Sequence, residues 1–225
     1  MTGQALIRQD AAAQPDHDFA RLLTPAQWYR LPAAIRRRFS RDFCAGVTVC
    51  YRGEVVATRL SRLGWLLAQL ARVIGAPLPL RAGAGLATVV VTDHAGNAGQ
   101  VWSRLYHRPR GLPQAIHSVK RFAGPTGLEE YLGWGLCIAL ELKIDGGALI
   151  FVGRRYFLML AGRRFALPRW LSPGVLTVVH SEEDDGRFSF CMSLDHPRLG
   201  CLIHQQARFH EDAAGANQAR STGRC

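Results

Sequence analysis

The segment that decides the fold class runs from residue 135 to residue 160 and reads GLCIALELKIDGGALIFVGRRYFLML. Two apolar runs, 135–144 and 148–160, flank the turn residues Asp145-Gly146-Gly147. Two apolar runs around a short, glycine-containing turn predict a β-hairpin. Because a connection this short can join only antiparallel neighbours, the segment predicts an antiparallel sheet.

The same pattern continues on both sides of this hairpin. Turn residues recur at 94–97 and 184–186, and they separate further strand-like runs. The predicted strands are 47–51, 86–93, 99–107, 114–123, 135–144, 148–160, 175–183, 186–194 and 200–209. So many antiparallel strands in succession curl into a barrel or half-barrel. The expected fold class is α+β, with N-terminal helices packed on a large curved antiparallel β-sheet or partly open barrel, where they cover the open side or plug one end.

Helices are predicted only in the N-terminal third. Thr24-Pro25 is typical of an N-cap followed by proline at the first helical position. Apolar residues at three- and four-residue steps predict one buried helical stripe, formed by Leu60, Leu63, Leu67, Leu70 and Ile74. Trp65 points away from that stripe. It either packs under a loop or belongs to a basic, aromatic face that rests on a membrane surface.

Length and composition predict one globular domain, residues 17–210, between mobile tails at 1–16 and 211–225. The formal net charge is +11, and Lys120 and Lys143 are the only lysines among 28 basic residues. An arginine excess reflects either GC-rich codons or a basic face. The arginines are spread along the chain, which makes nucleic acid the least favoured partner. No signal peptide or membrane-spanning run is evident, so the cytoplasm is the expected compartment.

No metal site, cofactor or catalytic motif is predicted. The six cysteines form no C-x-x-C pair. His204 and His210 share a strand face but lie about 20 Å apart when extended, too far to bind one ion, and solvent exposure on an edge strand is expected. The motifs G-x-x-x-x-G-K, G-x-S-x-G and H-E-x-x-H are missing from the sequence. Whether the protein is an enzyme stays open.

The candidate site is the shared face of Trp102, Arg104 and Tyr106. If this face points inward, Arg104 needs a carboxylate partner, since an unpaired buried charge is costly. The candidates are Glu130, at the start of the strand after Gly127, and Glu182, which we expect to share a face with His180. The pair is either structural or a ligand-anchoring group in a mostly apolar cavity.

The order of several short motifs adds a family resemblance. They are Leu31-Pro32, Ile35-Arg36, Gly46, Arg52-Gly53, Gly75-x-Pro77, Trp102-x-Arg104-x-Tyr106, Ser118, Glu130-x-x-Gly133, Leu167-Pro168, Leu171-x-Pro173, Glu183, Arg187-Phe188-x-Phe190 and Pro197-x-x-Gly200. From Leu22 to about Phe209 the chain thereby resembles the bacterial family called domain of unknown function 4166. No activity is assigned to that family, whose members often follow a saccharopine-dehydrogenase-like NAD(P)-binding domain.

The resemblance implies a stand-alone and somewhat divergent member. The chain carries no glycine-rich dinucleotide-binding domain. Cys191, Gln205 and Ala207 stand where the family commonly has an acidic residue, a tyrosine and a glycine.

Three functions remain open at this point. The first is an accessory domain that binds an apolar or lipid-like molecule, with Arg104 as its polar anchor. The second is an enzyme that works with a partner NAD(P)-dependent oxidoreductase on a small acidic or quinone-like metabolite. The third is a basic peripheral membrane or nucleic-acid adaptor that uses the arginines and Trp65.

Overall fold

The computed structural model describes residues 19–39, 48–73, 78–94, 99–108 and 110–211. The helices are a 3₁₀ helix Phe19–Leu22, α1 Pro25–Tyr29, α2 Ala33–Phe39, α3 Arg62–Val73 and a second 3₁₀ helix Arg169–Leu171. The strands are β1 Thr48–Leu60, β2 Gly85–His94, β3 Gly99–Tyr106, β4 Gln114–Arg121, β5 Glu129–Gly133, β6 Leu136–Asp145, β7 Ala148–Leu160, β8 Arg163–Ala166, β9 Val175–Glu182, β10 Phe188–His196 and β11 Gly200–Glu211. The predicted tails lie outside the described residues, except that Glu211 ends β11.

The strands form a closed antiparallel barrel of ten strands, which corrects the expected curved sheet or partly open barrel. The order around the barrel is β6-β5-β4-β3-β2-β1-β11-β10-β9-β7, and β7 pairs with β6 to close the ring. Closure depends on β7, because its residues 149–152 pair with β9 while most of its length pairs with β6. The outer strand β8 pairs only with the last residues of β7.

The predicted strands are present, and the strand expected after Gly127 is β5. The structure extends β1 from the predicted 47–51 to Leu60 and adds β8. The strand β1 pairs with β2 along one edge and with β11 along the other. Closure therefore leaves no free edge in the barrel itself, so the expected edge position of the last strand is wrong.

One end of the barrel is plugged by N-terminal residues, as the sequence predicts. Phe19 and Phe39 are buried and lie 5.3 Å apart between ring centroids. Phe39 also packs at 5.7 Å from Phe151 and 6.5 Å from Trp102, whose side chains point into the barrel. Only part of the helical segment takes part, because α1 buries no residue. We call this end, which also holds the β6–β7 and β9–β10 turns, the plugged end.

Helix α3 buries a different face from the predicted one. Its buried residues are Gly64, Ala68 and Ala71, whereas Leu63 and Leu70 are 48% and 59% exposed. A Cβ atom at Gly64 would lie 1.9 Å from the carbonyl oxygen of Leu202, so close packing on β11 selects the small-residue face. Ile74 lies outside the described residues.

Trp65 is 52% exposed, so the expectation that it packs under a loop is wrong. Like Leu63, Leu66, Leu70 and Val73, it lies on a part of α3 that the barrel leaves uncovered. Among the described residues, no helix has the length and apolar character needed to cross a bilayer.

Candidate functional site

The barrel encloses a cavity of about 550 Å³ above the plug. Its wall is mainly apolar and includes Val89, Ile138, Leu140, Phe190 and Phe209. Residues two apart on a strand share a face, so Ile138 and Leu140 of β6, for example, both point inward. The volume lies within the range of natural small-molecule sites, which are also largely apolar with a few fixed polar groups.

The cavity opens at the end opposite the plug. Its rim is formed by α3, by the following Leu78 and Pro79, and by the segment around the second 3₁₀ helix. Leu70, Val73 and Leu171 line the cavity and are nevertheless 59%, 73% and 50% exposed. A molecule can therefore enter past these residues. We call this end of the barrel the mouth end.

A cluster of charged side chains lies on the cavity wall where β3, β4 and β5 run side by side. Glu130 is at its centre and accepts a hydrogen bond of 2.6 Å from the Ser118 hydroxyl. The Lys120 ammonium lies 3.2 Å and the Arg104 guanidinium 3.5 Å from the same carboxylate oxygen. Strand pairing produces this arrangement, because Lys120 lies directly opposite Glu130. We call these four residues the cavity cluster.

The cavity cluster holds two cations against one carboxylate. Burial alone would raise the pKa of Glu130, but the charges of Lys120 and Arg104 outweigh it and lower the pKa to about 2. Burial is also the main reason why the pKa of Lys120 is lowered. With all three groups ionised, the cavity wall carries one positive charge that no described carboxylate neutralises.

Lys120 is the more deeply buried of the two cations. Its side chain is 8% exposed, compared with 24% for Arg104. The ammonium lies 4.8 Å from the ring centre of Trp102 and 5.5 Å from that of Phe151. Cation–π contacts of this kind stabilise a desolvated ammonium and fix its position.

Two tyrosines supply further polar groups to the wall. The Tyr106 hydroxyl donates to Gln205 at 3.1 Å, and Gln205 donates in turn to Thr58 at 3.0 Å. The Tyr156 hydroxyl has no hydrogen-bond partner among the described residues, although Tyr156 is only 6% exposed and lines the cavity. Burial raises the pKa of both tyrosines, so both remain donors.

Four of the five predicted site residues meet in this cavity. Trp102, Arg104, Tyr106 and Glu130 all line it, and the predicted Arg104–Glu130 pair is present. Arg104 is only partly buried, and Lys120 is the closer partner of Glu130. The sequence did not lead us to predict Lys120 as a site residue. Lys120 lies two residues after Ser118 on a predicted strand, so strand alternation could have placed both on the same face.

Glu182 does not belong to the cavity. It shares the inward face of β9 with His180, as predicted, but it lies at the plugged end and pairs with Arg38 of α2. Arg38 also donates to His180 Nε2 at 2.7 Å and covers the Phe188 ring at 3.8 Å. We call Arg38, His180 and Glu182 the sealed cluster, because the helical plug covers it.

The neighbouring carboxylate Glu129 is on the other side of the strand from Glu130, as strand alternation predicts. It pairs with Arg121 at 2.6 Å and with Arg164 at 2.7 Å on the outer side of the barrel. Within the described part of the chain, no group of three His, Cys, Asp or Glu side chains could bind a metal ion.

Comparison with known proteins confirms the family resemblance. A family model described as a domain of unknown function (DUF4166) matches residues 31–209. No curated protein matches the chain. The crystal structure of Rv2717c from M. tuberculosis is similar over 81% of this chain and 99% of that chain, with 14% identity and a TM-score of 0.38. So distant a similarity leaves the function to be argued from the cavity itself.

Proposed function

The chain belongs to the domain of unknown function 4166 family, and from its barrel we propose that it binds an apolar molecule that carries one anionic group, such as a long-chain carboxylate. The observation that carries this proposal is the geometry of the cavity cluster, in which the cationic side chains Lys120 and Arg104 share the single carboxylate Glu130 inside an otherwise apolar cavity. The apolar wall can contact a hydrocarbon chain, and Arg104 and Lys120 can pair with an anionic group.

The charge balance favours an anionic ligand over a neutral one. A desolvated cation without a counter-charge is costly, and an opposite charge within hydrogen-bond distance offsets that cost. Glu130 offsets one of the two cations, so a ligand carboxylate would offset the other. Charge-assisted hydrogen bonds from a guanidinium or an ammonium to a carboxylate are about twice as strong as neutral ones.

Donors are available for such a ligand. The Arg104 guanidinium has five N–H groups, and its contacts to Ser118 and Glu130 use only two nitrogens. Tyr156 adds a hydroxyl that is not otherwise engaged among the described residues. A ligand with its carboxylate at Arg104 would direct its chain along the apolar wall towards Leu70 and Leu171 at the mouth.

The same cluster excludes amphiphiles of the opposite charge. A ligand ammonium at this position would face Arg104 and Lys120, and such like-charge placement costs several kcal/mol. We therefore expect ligands with identical hydrocarbon chains to differ in affinity according to the charge of the head group.

The test is an affinity comparison of three ligands with one chain length. Delipidated protein is titrated with palmitate, hexadecanol and hexadecylamine below their aggregation concentrations, and binding is followed by displacement of a fluorescent fatty-acid probe. We expect palmitate to bind at least tenfold more tightly than hexadecanol, since a charged hydrogen bond contributes about 1.5–3 kcal/mol. Hexadecylamine should bind most weakly.

Native mass spectrometry of protein purified from its host supplies an independent readout. We expect an adduct of a size that matches an apolar anion, and the adduct should disappear on delipidation. An empty protein that also fails to bind any member of the ligand trio would contradict the proposed function.

A further inference from the structure

Exposed apolar side chains are concentrated at one end of the barrel. In an antiparallel barrel every second connection between strands lies at the same end. The mouth end therefore holds the described residues 59–73, 78–86, 106–108, 110–114, 133–136, 158–175 and 195–201. We call these the mouth segments. All large apolar residues that are exposed among the described residues lie in them, except Tyr29 and Val56. They include Trp134 and Trp170, which are 76% and 80% exposed.

Helix α3 contributes a continuous apolar stripe to this end. Leu63, Leu66, Leu70 and Val73 follow one another at three- and four-residue steps and are 48%, 48%, 59% and 73% exposed. Their common direction follows from the helical period. Because the small-residue face is the one that packs on β11, the more apolar stripe of the helix is left facing solvent.

The mouth segments are also strongly basic. They contain exposed arginines that make no ion pair with a described carboxylate: Arg59, Arg62, Arg72, Arg81, Arg110, Arg163, Arg169 and Arg198. Asp195 is the single carboxylate in the described mouth segments. At the plugged end, by contrast, the end of β9 and the turn that follows it place four carboxylates in succession, from Glu182 to Asp185. In the described mouth segments exposed arginines therefore far outnumber carboxylates, which is not so at the plugged end.

We propose that the mouth end docks on an anionic lipid bilayer and that the cavity exchanges its ligand with that bilayer. Tryptophan and leucine insert at the boundary between head groups and acyl chains, and arginines pair with lipid phosphates. Leu70, Val73 and Leu171 belong both to the exposed surface and to the cavity rim. Docking would therefore place the cavity opening against the membrane. The exchange step rests on the proposed function, whereas the docking step does not.

Charge complementarity selects this occupant over a second copy of the chain. In a symmetric dimer formed through the mouth end, the same arginines would face each other, and like charges across an interface are unfavourable. A folded protein partner would have to offer a surface that is both strongly acidic and apolar. An anionic bilayer has both properties.

The experiment measures sedimentation of the full chain with vesicles. We expect the protein to bind vesicles of phosphatidylcholine with phosphatidylglycerol, and to bind phosphatidylcholine alone much more weakly. Raising the salt concentration should weaken the binding, because exposed charges are screened. Arg62→Gln with Arg169→Gln should weaken it by roughly tenfold or more, since each basic residue near an anionic surface contributes about fivefold. Val73→Glu with Trp170→Glu should abolish it.

Matched controls lie at the other end of the molecule. Tyr29 is 71% exposed at the plugged end, so Tyr29→Glu controls for an added charge at an exposed apolar site. Arg30 and Arg37 are exposed there as well, and Arg30→Gln with Arg37→Gln controls for charge removal. We expect both controls to change vesicle binding less than twofold. Circular dichroism checks that every variant is folded.

Several outcomes would overturn the docking proposal: no binding to anionic vesicles, equal losses in the controls, or a wild-type dimer in sedimentation velocity that the mouth variants dissociate. Palmitate binding in vesicle-free buffer separates this proposal from the proposed function. If palmitate binds but vesicles do not, only docking is wrong. If vesicles bind but palmitate does not, docking stands and both the cavity ligand and the exchange step fall.

Discussion

The barrel contains two inward-facing charge clusters that differ in what covers them. In the sealed cluster Arg38 pairs with Glu182, and the arginine and carboxylate side chains are only 9% and 17% exposed. In the cavity cluster Lys120 and Arg104 share Glu130, and the Arg104 side chain is 24% exposed on a cavity that opens to solvent. Each has an inward-facing glutamate, but only the cavity cluster has an empty space beside it.

The difference separates architecture from function. The sealed cluster has equal numbers of cations and carboxylates, and its arginine belongs to the plugging helix α2 and lies over the Phe188 ring. Adding a ligand there would require the plug to leave. The cavity cluster has one cation too many and room for an anion. Buried charge pairs of similar composition thus have different roles, and charge balance together with access distinguishes them.

Breaking the sealed cluster should have the largest effect on stability. Replacing Arg38 by Met leaves Glu182 buried without its partner and should lower the free energy of unfolding by about 3–5 kcal/mol. Arg37→Met is the matched control in the same helix, because Arg37 is exposed, and it should change stability by less than about 0.5 kcal/mol. Urea denaturation measures both. A loss below 1 kcal/mol for Arg38→Met would mean that the plug does not depend on this pair.

Breaking the cavity cluster should cost less and should also affect binding. Glu130→Leu leaves two cations unpaired, but Lys120 can release its proton and Arg104 is partly solvated, so we expect a loss of about 2–3 kcal/mol. Adding Arg104→Met and Lys120→Met removes both stranded cations and should restore most of this stability. If palmitate affinity is then still reduced more than tenfold, the cavity cluster is the site. If stability and affinity both return, the cavity cluster is scaffolding and the comparison between the clusters fails.

The two clusters should also lose stability in different pH windows. Burial, followed by the Arg38 charge, lowers the pKa of His180 to about 3 from its ordinary value of 6.5. As the pH falls, His180 is protonated in the unfolded chain before it is protonated in the folded protein. The stabilising contribution of neutral His180 is therefore lost as the pH falls from 6.5 towards 3. Glu130 has its pKa lowered from 4.5 to about 2, so its contribution is lost between pH 4.5 and 2. Each group contributes at most about 1.4 kcal/mol per pH unit.

Two variants assign these windows. His180→Phe should flatten the dependence of the urea midpoint on pH between 6.5 and 4.5, and Glu130→Gln should flatten it below pH 4.5. Asp184→Asn is a control, since Asp184 is exposed in the β9–β10 turn. Should His180→Phe leave the upper window unchanged, His180 is not the group that titrates there.

The smallest effect is expected at the hydrogen-bonded tyrosine of the cavity wall. Tyr106→Phe removes the hydrogen bond to Gln205 and should lower the free energy of unfolding by about 1 kcal/mol. The bond from Gln205 to Thr58 can remain, so the wall keeps its shape. Palmitate affinity should change less than twofold, because the charged groups are unaffected. A tenfold loss would instead place the ligand head group at Tyr106.

Much of the fold could be predicted from the sequence, because strand alternation and short turns are local signals. Barrel closure could not be predicted, since it depends on β7 pairing with both β6 and β9, which are distant from one another along the chain. The predicted stripe of α3 is only partly buried, since Leu60 and Leu67 pack against the core but Leu63 and Leu70 are exposed. Periodicity identifies an apolar face, but only the close approach of Gly64 to Leu202 shows which face packs.

The candidate site was predictable in part for the same reason. Alternation placed Arg104 beside Trp102 and Tyr106, and it placed Glu182 on the face of His180. It could not show that Glu182 lies at the plugged end beside Arg38, because that contact joins residues 144 positions apart. The oxidoreductase-partner alternative stays a prediction that rests on the family resemblance and on the Arg104–Glu130 pair.

The most direct test of the cavity as a binding site is a crystal structure of the delipidated protein soaked with a palmitate analogue that carries bromine on its terminal carbon. Anomalous scattering locates the bromine, and the density shows the carboxylate. We expect the carboxylate within hydrogen-bond distance of Arg104 or Lys120 and the bromine near Leu70 or Leu171 at the mouth. A reversed ligand, with its carboxylate at the mouth, or a cavity that holds no bromine at saturating concentration, would contradict the assignment.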